Sequence, residues 1–175
     1  KARLPMQALF DAIARMPLPT DACRVFHGRG GLYPGCEHLT LDAFPPVWLV
    51  TSFLPLEEAD LARLHDALSA RWAQLNPDEP LNWVFQYRHE ARAETRLMAG
   101  SVPEPHVVRE DGAGFRVHLL RGLNHGFFLD MAEGRRRVRE LMAARPGGKV
   151  LNLFAYTCSF SVVALRAGAR QVTNV

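Results

Sequence analysis

Apolar residues along this chain first recur with helical spacing. Between positions 4 and 16, Met6, Leu9, Phe10, Ile13 and Met16 fall on one stripe, which Pro17 and Pro19 end. Three runs with strand character follow, at 22–27, 38–44 and 47–53. Glycines from Gly28 to Gly35 punctuate the first gap and Pro45-Pro46 the second. Residues 57–75 predict a longer helix with Leu61, Leu64, Leu68, Trp72 and Leu75 on one face, a stripe that reads as core rather than as a groove for a partner. Further strands are expected at 83–88, 95–98, 106–109 and 115–120. A helix is expected at 132–144, closed by Pro146-Gly147-Gly148.

The last stretch, 149–175, carries the most information. It predicts a buried strand over 150–154, a tight turn through Tyr156, Thr157, Cys158 and Ser159, a helix over 160–166, a turn at Gly168 and a second strand. Such a unit opens a parallel sheet, and ligands bind these sheets at the carboxyl end of the first strand. The expected fold class is α/β: an N-terminal α+β module over 1–105, then the beginning of a Rossmann-like sheet over 106–175, truncated after its second strand.

Composition narrows the class. The chain has 175 residues, 48% hydrophobic and 22% charged, as an ordinary globular protein does. No apolar run approaches the ~20 residues that span a bilayer. Lys1 is not an initiator and residues 1–20 lack a signal-peptide pattern, so a trimmed cytoplasmic protein is expected. Cys23, Cys36 and Cys158 are too few and too scattered for a disulfide framework or a zinc site. The net charge is only +3, yet Lys1 and Lys149 are the only lysines, so arginine dominates the basic residues. Arginine suits phosphate oxygens, but the cluster Arg135, Arg136, Arg137 and Arg139 reads first as a solvated helix face. Trp83, Tyr87, Arg88, Arg92 and Arg96 are candidates to stack on or neutralise RNA, weighed against core aromatics and solvated arginines, which are slightly favoured.

The turn after the first C-terminal strand invites an anion, because the first backbone N–H groups of a helix lack partners. Thr157 or Ser159 would equally cap that helix. The chain has no G-x-G-x-x-G, no P-loop, no nucleophile elbow and no H-E-x-x-H. S-adenosylmethionine is the remaining common ligand for such a turn. Upstream, the segment 122–130 holds Gly126 and His125; the histidine is a candidate general base, weighed against the commoner reading of a lone His before a glycine as a loop residue. Asp130 stands where a helix N-cap is wanted.

Two linked segments carry a resemblance. Phe115, Val117, Gly126, Phe128, Leu129, Asp130 and Arg135, followed by Val150, Leu151, Asn152, Leu153, Phe154, Tyr156, Thr157 and Phe160, resemble the RlmI/RlmK-type family of bacterial ribosomal RNA methyltransferases. The glycine-rich piece 24–35 with Leu41-Asp42 is similar to an earlier family segment. Cys158 stands where the family has a glycine, Ala132 where it has an arginine, and Asn124-His125 where it has a basic–threonine pair. The resemblance implies a class I fold and S-adenosyl-L-methionine as cofactor, held at its methionine end by Phe154, Tyr156, Thr157 and Ser159 over Asn152. Phe128, Asp130 and Arg135 would contact the cofactor or brace the turn. It further implies methylation of cytosine carbon 5 or guanine N7 in 23S ribosomal RNA, with catalytic residues beyond Val175. A homodimer would cover the open sheet edge. The other readings are a methyltransferase for tRNA, protein or a small molecule, and a non-catalytic nucleic-acid-binding scaffold.

Overall fold

The computed structural model describes residues 5–175. Helix α1 (Gln7–Arg15) buries Leu9 and Ile13, with Met6 and Met16 flanking; position 4, the expected helix start, lies outside the described residues. Three strands follow, β1 (Cys23–His27), β2 (Leu39–Phe44) and β3 (Val47–Ser52), then helix α2 (Glu58–Leu75) and strands β4 (Trp83–His89) and β5 (Arg92–Ala99). They form one sheet in the order β1-β2-β3-β4-β5. All neighbours are antiparallel except β3 and β4, which run parallel because α2 crosses between them.

Alternation along the strands splits the sheet into two unlike faces. On one face Leu39, Leu41, Ala43, Trp48, Val50, Trp83 and Phe85 pack beneath α1 and α2. Trp72 of α2 meets Trp48 edge-on at 6.1 Å, and Arg71 donates twice to the carbonyl of Met16, at 2.9 and 2.6 Å, joining the two helices. On the other face Phe44, Val47, Leu49 and Val84 lie against a hairpin of β6 (His106–Glu110) and β7 (Ala113–Val117), through Val108, Phe115 and Val117. Side chains from both sides of position 105 therefore share this second core.

Two strands differ from expectation. β5 begins at Arg92 rather than Thr95, because it pairs along the whole of β4 despite residues such as Arg92, Glu94 and Arg96 that disfavour strands. β7 ends at Val117 rather than Leu120, because its last partner is His106, where β6 starts. The chain then folds back as a loop, and His118 N–H donates to the carbonyl of His125 at 2.9 Å.

The C-terminal part holds helix α3 (Ala132–Ala143), strand β8 (Lys149–Asn152), helix α4 (Ser159–Arg166) and strand β9 (Gln171–Asn174). β8 and β9 pair in parallel with α4 as their crossover. The strand expected to be buried is not. α4 covers the Val150 and Asn152 side of β8, while Leu151, Leu153 and Phe154 are 61, 56 and 95% exposed, with nothing packed on that face among the described residues.

Candidate ligand clefts

The first cleft, of about 350 Å³, opens where β8 ends. Its wall is the turn between β8 and α4, in which Phe154, Tyr156 and Cys158 all take positive φ, at 57°, 23° and 60°. This contorted backbone delivers the chain into α4 with Cys158 as N-cap and no side-chain cap. Neither Thr157 nor Ser159 caps the helix. The first bond within α4 is Val162 N–H to the Cys158 carbonyl, at 3.0 Å. The N–H groups of Ser159, Phe160 and Ser161 thus have no backbone acceptor, and they carry the positive end of the helix. Asn152 sits behind the turn. Its amide donates to Ser161 Oγ at 2.8 Å and to Asn174 Oδ1 at 3.3 Å, so one side chain ties β8, α4 and β9 together.

The opposite wall is Phe128, whose ring lies 5.4 Å from that of Tyr156. Its position depends on two devices. Gly126, at φ 93°, lets the loop pass so close to β7 that a Cβ there would stand 3.0 Å from the Arg116 carbonyl oxygen. Arg135, 1% exposed on α3, donates from Nη1 to the Phe128 carbonyl at 2.8 Å. Its Nε and Nη2 donate to the two carboxylate oxygens of Glu110 at 2.6 and 2.9 Å, and its guanidinium lies 4.2 Å over the Phe127 ring. Arg135 lines the cleft, but its donors already clamp the Phe128 segment to the hairpin and helix.

Phe128 is also a wall of a second cleft, of about 250 Å³, between the 123–130 segment and the far face of the sheet. There a row of polar residues runs across the strands in register: His27, Thr40, Thr51, Gln86 and Thr95. Beside it Asp42, buried, accepts from Arg24 Nε at 2.8 Å and from Nη2 at 3.3 Å. Burial pushes the Asp42 carboxyl up, opposed by Arg24. Arg88 donates from Nε to Gln86 Oε1 at 2.6 Å and from Nη2 to the Leu123 carbonyl at 2.5 Å. Burial also lowers the pKa of Arg88.

The Arg88 bond fixes the Gln86 amide with its oxygen toward Arg88 and its nitrogen toward His125 Nε2, 3.3 Å away. His125 Nε2 is therefore the acceptor, and the ring proton sits on Nδ1. Burial, with Arg88 nearby, lowers the His125 pKa to about 4, so the ring is neutral at pH 7.

The residues predicted for the site fall on both clefts. Asn152, Phe154, Tyr156, Thr157, Ser159, Phe128 and Arg135 all line the first. Asp130 stands apart, on the second. It does not cap α3, whose N-cap is Met131; Asp130 lies in the single 3-10 turn just before it. Of the residues considered for RNA, Trp83 is core, with Nε1 donating to His65 Nδ1 at 3.1 Å. Tyr87 packs against the helical side and Arg96 pairs with Glu58, while Arg88 enters the second cleft. His125, considered as a general base or a loop residue, lines the second cleft, whereas Thr40, Thr51 and Gln86 escaped sequence reasoning. Their alternating polarity reads as a solvated strand face, and only the return of the 123–130 segment encloses it.

Residues 23–175 match a protein family described as S-adenosylmethionine-dependent methyltransferase. The chain belongs to that family. It is 31% identical over 163 residues to a ribosomal RNA large subunit methyltransferase of Deinococcus radiodurans, covering 89% of this chain and 38% of the relative. Over 95 residues it is 45% identical to ribosomal RNA large subunit methyltransferase K/L of a Psychrobacter species, covering 54% of this chain and 11% of that protein. A crystal structure of a methyltransferase complexed with SAH superposes with a TM-score of 0.69 at 26% identity, covering 99% of this chain and 45% of that one. The chain thus spans less than half the length of each of these proteins. Both clefts lie within the family match, since their lining residues run from Arg24 to Phe160. Among the described residues no helix is long and apolar enough to cross a membrane, and no cluster of side chains suits a metal ion.

Proposed function

We propose that the protein transfers a methyl group from S-adenosylmethionine to a base of large-subunit ribosomal RNA, at cytosine carbon 5 or guanine N7 of the 23S molecule. The observation that carries this reading is the first cleft: an uncapped helix start facing an aromatic wall at the carboxyl end of β8, in a chain of this family. These residues fit the methionine end of the cofactor. The open N–H groups of Ser159, Phe160 and Ser161 would take its carboxylate. Phe128 and Tyr156 would offer ring faces to a sulfonium cation. When bound, the cofactor supplies an electrophilic methyl group on positively charged sulfur. The work of this chain is to hold it, keep water off that side and present the RNA. The rRNA assignment draws on the printed names of the relatives.

The test is methyl transfer from tritium-labelled S-adenosylmethionine to total RNA by the natural gene product. Label in the large-subunit ribosomal RNA, placed by nuclease mapping at cytosine or guanine, is the expected result. Label confined to tRNA, protein or small molecules would contradict the acceptor assignment.

A further inference from the structure

The second cleft has polar groups that the fold leaves unused. Thr40 and Thr51 are 4 and 3% exposed and stand directly opposite each other in the β2–β3 ladder. Neither hydroxyl bonds to another described residue, yet both line the cleft. Neither hydroxyl is among the buried polar atoms left without a partner, so both open onto the cleft and are free to pair with whatever enters it. Next to them Asp42 has two oxygens engaged only by Arg24 and retains acceptor capacity, and His125 offers an Nδ1–H. One short floor therefore combines two hydroxyls that donate or accept, a carboxyl group with open acceptor positions and a ring N–H donor. Aromatic rings of Phe53, Phe127 and Phe128 stand around it, and Arg29 lies exposed at the rim, 4.0 Å over Phe53.

We propose that this cleft seats one unpaired nucleobase of the RNA acceptor, its polar edge on Thr40, Thr51, Asp42 and His125 and its backbone phosphate beside Arg29. A flat, mostly uncharged ring with mixed donors and acceptors satisfies the floor, because the donors of Arg24 and Arg88 are already turned to Asp42, Gln86 and the Leu123 carbonyl. Proteins that read single-stranded RNA hold splayed bases this way, by edge hydrogen bonds and by contact with aromatic rings. Phe128 is the shared wall, so a base seated here lies next to the cofactor cleft and sets how the RNA approaches it. The inference rests on the methyltransferase reading and adds where the RNA is gripped.

The test uses the natural gene product with labelled S-adenosylmethionine and large-subunit ribosomal RNA, comparing wild type, Thr40→Val/Thr51→Val, and Thr40→Ser/Thr51→Ser. Valine keeps the shape and removes the hydroxyls; serine keeps them. The valine pair is expected to raise the KM for RNA by about tenfold or more. Calorimetric affinity for S-adenosylmethionine should stay at the wild-type value, and the serine pair should remain within a few-fold of wild type. A wild-type KM for RNA in the valine pair would overturn the inference and leave the methyltransferase reading standing. Equal loss in the valine and serine pairs would also overturn it, as the signature of a packing role. No cofactor binding and no transfer by the wild-type protein would overturn both.

Discussion

Cys158 holds a side chain in backbone geometry that suits glycine, with φ 60° and ψ 24°. A left-handed non-glycine residue costs roughly 1–2 kcal/mol, partly offset in a glycine variant by its looser unfolded chain. Cys158→Gly should therefore raise the stability read from the urea midpoint by a few tenths to about 1 kcal/mol. A clear drop would show that the thiol packs usefully enough to outweigh the strain. His125 gives a pH prediction. Its folded pKa is about 4, below the ordinary value of 6.5, because burial and Arg88 disfavour the imidazolium. Its contribution to stability is thus fully present above pH 6.5 and is lost as pH falls toward 4. His38 and His106 are also lowered by burial and act in the same direction. His125→Gln should flatten, without abolishing, the acid loss of stability in denaturation at pH 7.5, 5.5 and 4.5. An unchanged slope would contradict the neutral, buried ring. In sequence His125 reads as a loop residue, because nothing local says that Gln86, 39 positions earlier, will meet it.

The elements themselves were largely legible, and the run of arginines shows where legibility ends. Helical spacing identifies α3, but each arginine on it meets a different fate. Arg136 pairs with Glu133 and Glu140, Arg137 with Glu140 and Arg139 with Asp111, as befits a solvated face. Arg135 instead turns inward to Glu110 and the Phe128 carbonyl. The difference is one of position around the helix relative to a hairpin 25 residues earlier, which no local pattern encodes. Arg135→Met should destabilise the protein by about 3 kcal/mol, because it strands the Glu110 carboxylate and frees the wall between the clefts. Chemical denaturation measures this. A loss within about 0.5 kcal/mol, the range of an ordinary surface change, would place Arg135 among its solvated neighbours. β5 illustrates the converse limit, since charged residues with poor strand propensity become a strand by pairing with β4.

At the scale of the whole molecule, one sheet serves two purposes through the two-residue period of its strands. Odd positions of β2 and even positions of β3 build a helical core, and their alternates build a floor that is apolar at one end and polar at the other. The sequence motifs singled out the turn after β8, because a strand, a turn and a helix lie within one local stretch. They left the second cleft unseen, because its parts come from β1, β2, β3, β4 and a segment after β7. Phe128 joins the clefts, and Gly126 and Arg135 hold it in place.

The central claim is that the turn after β8 and the start of α4 hold the methionine end of S-adenosylmethionine. Calorimetric titration of S-adenosylmethionine into the natural gene product, beside its Thr157→Trp variant, tests this most directly, since Thr157 lines the cleft and is exposed, so its replacement fills the cleft without disturbing a core. The expected result is one binding event for the wild type, weakened by about tenfold or more in the variant at an unchanged melting temperature. No binding by the wild type, or equal affinity in both proteins, would contradict the account.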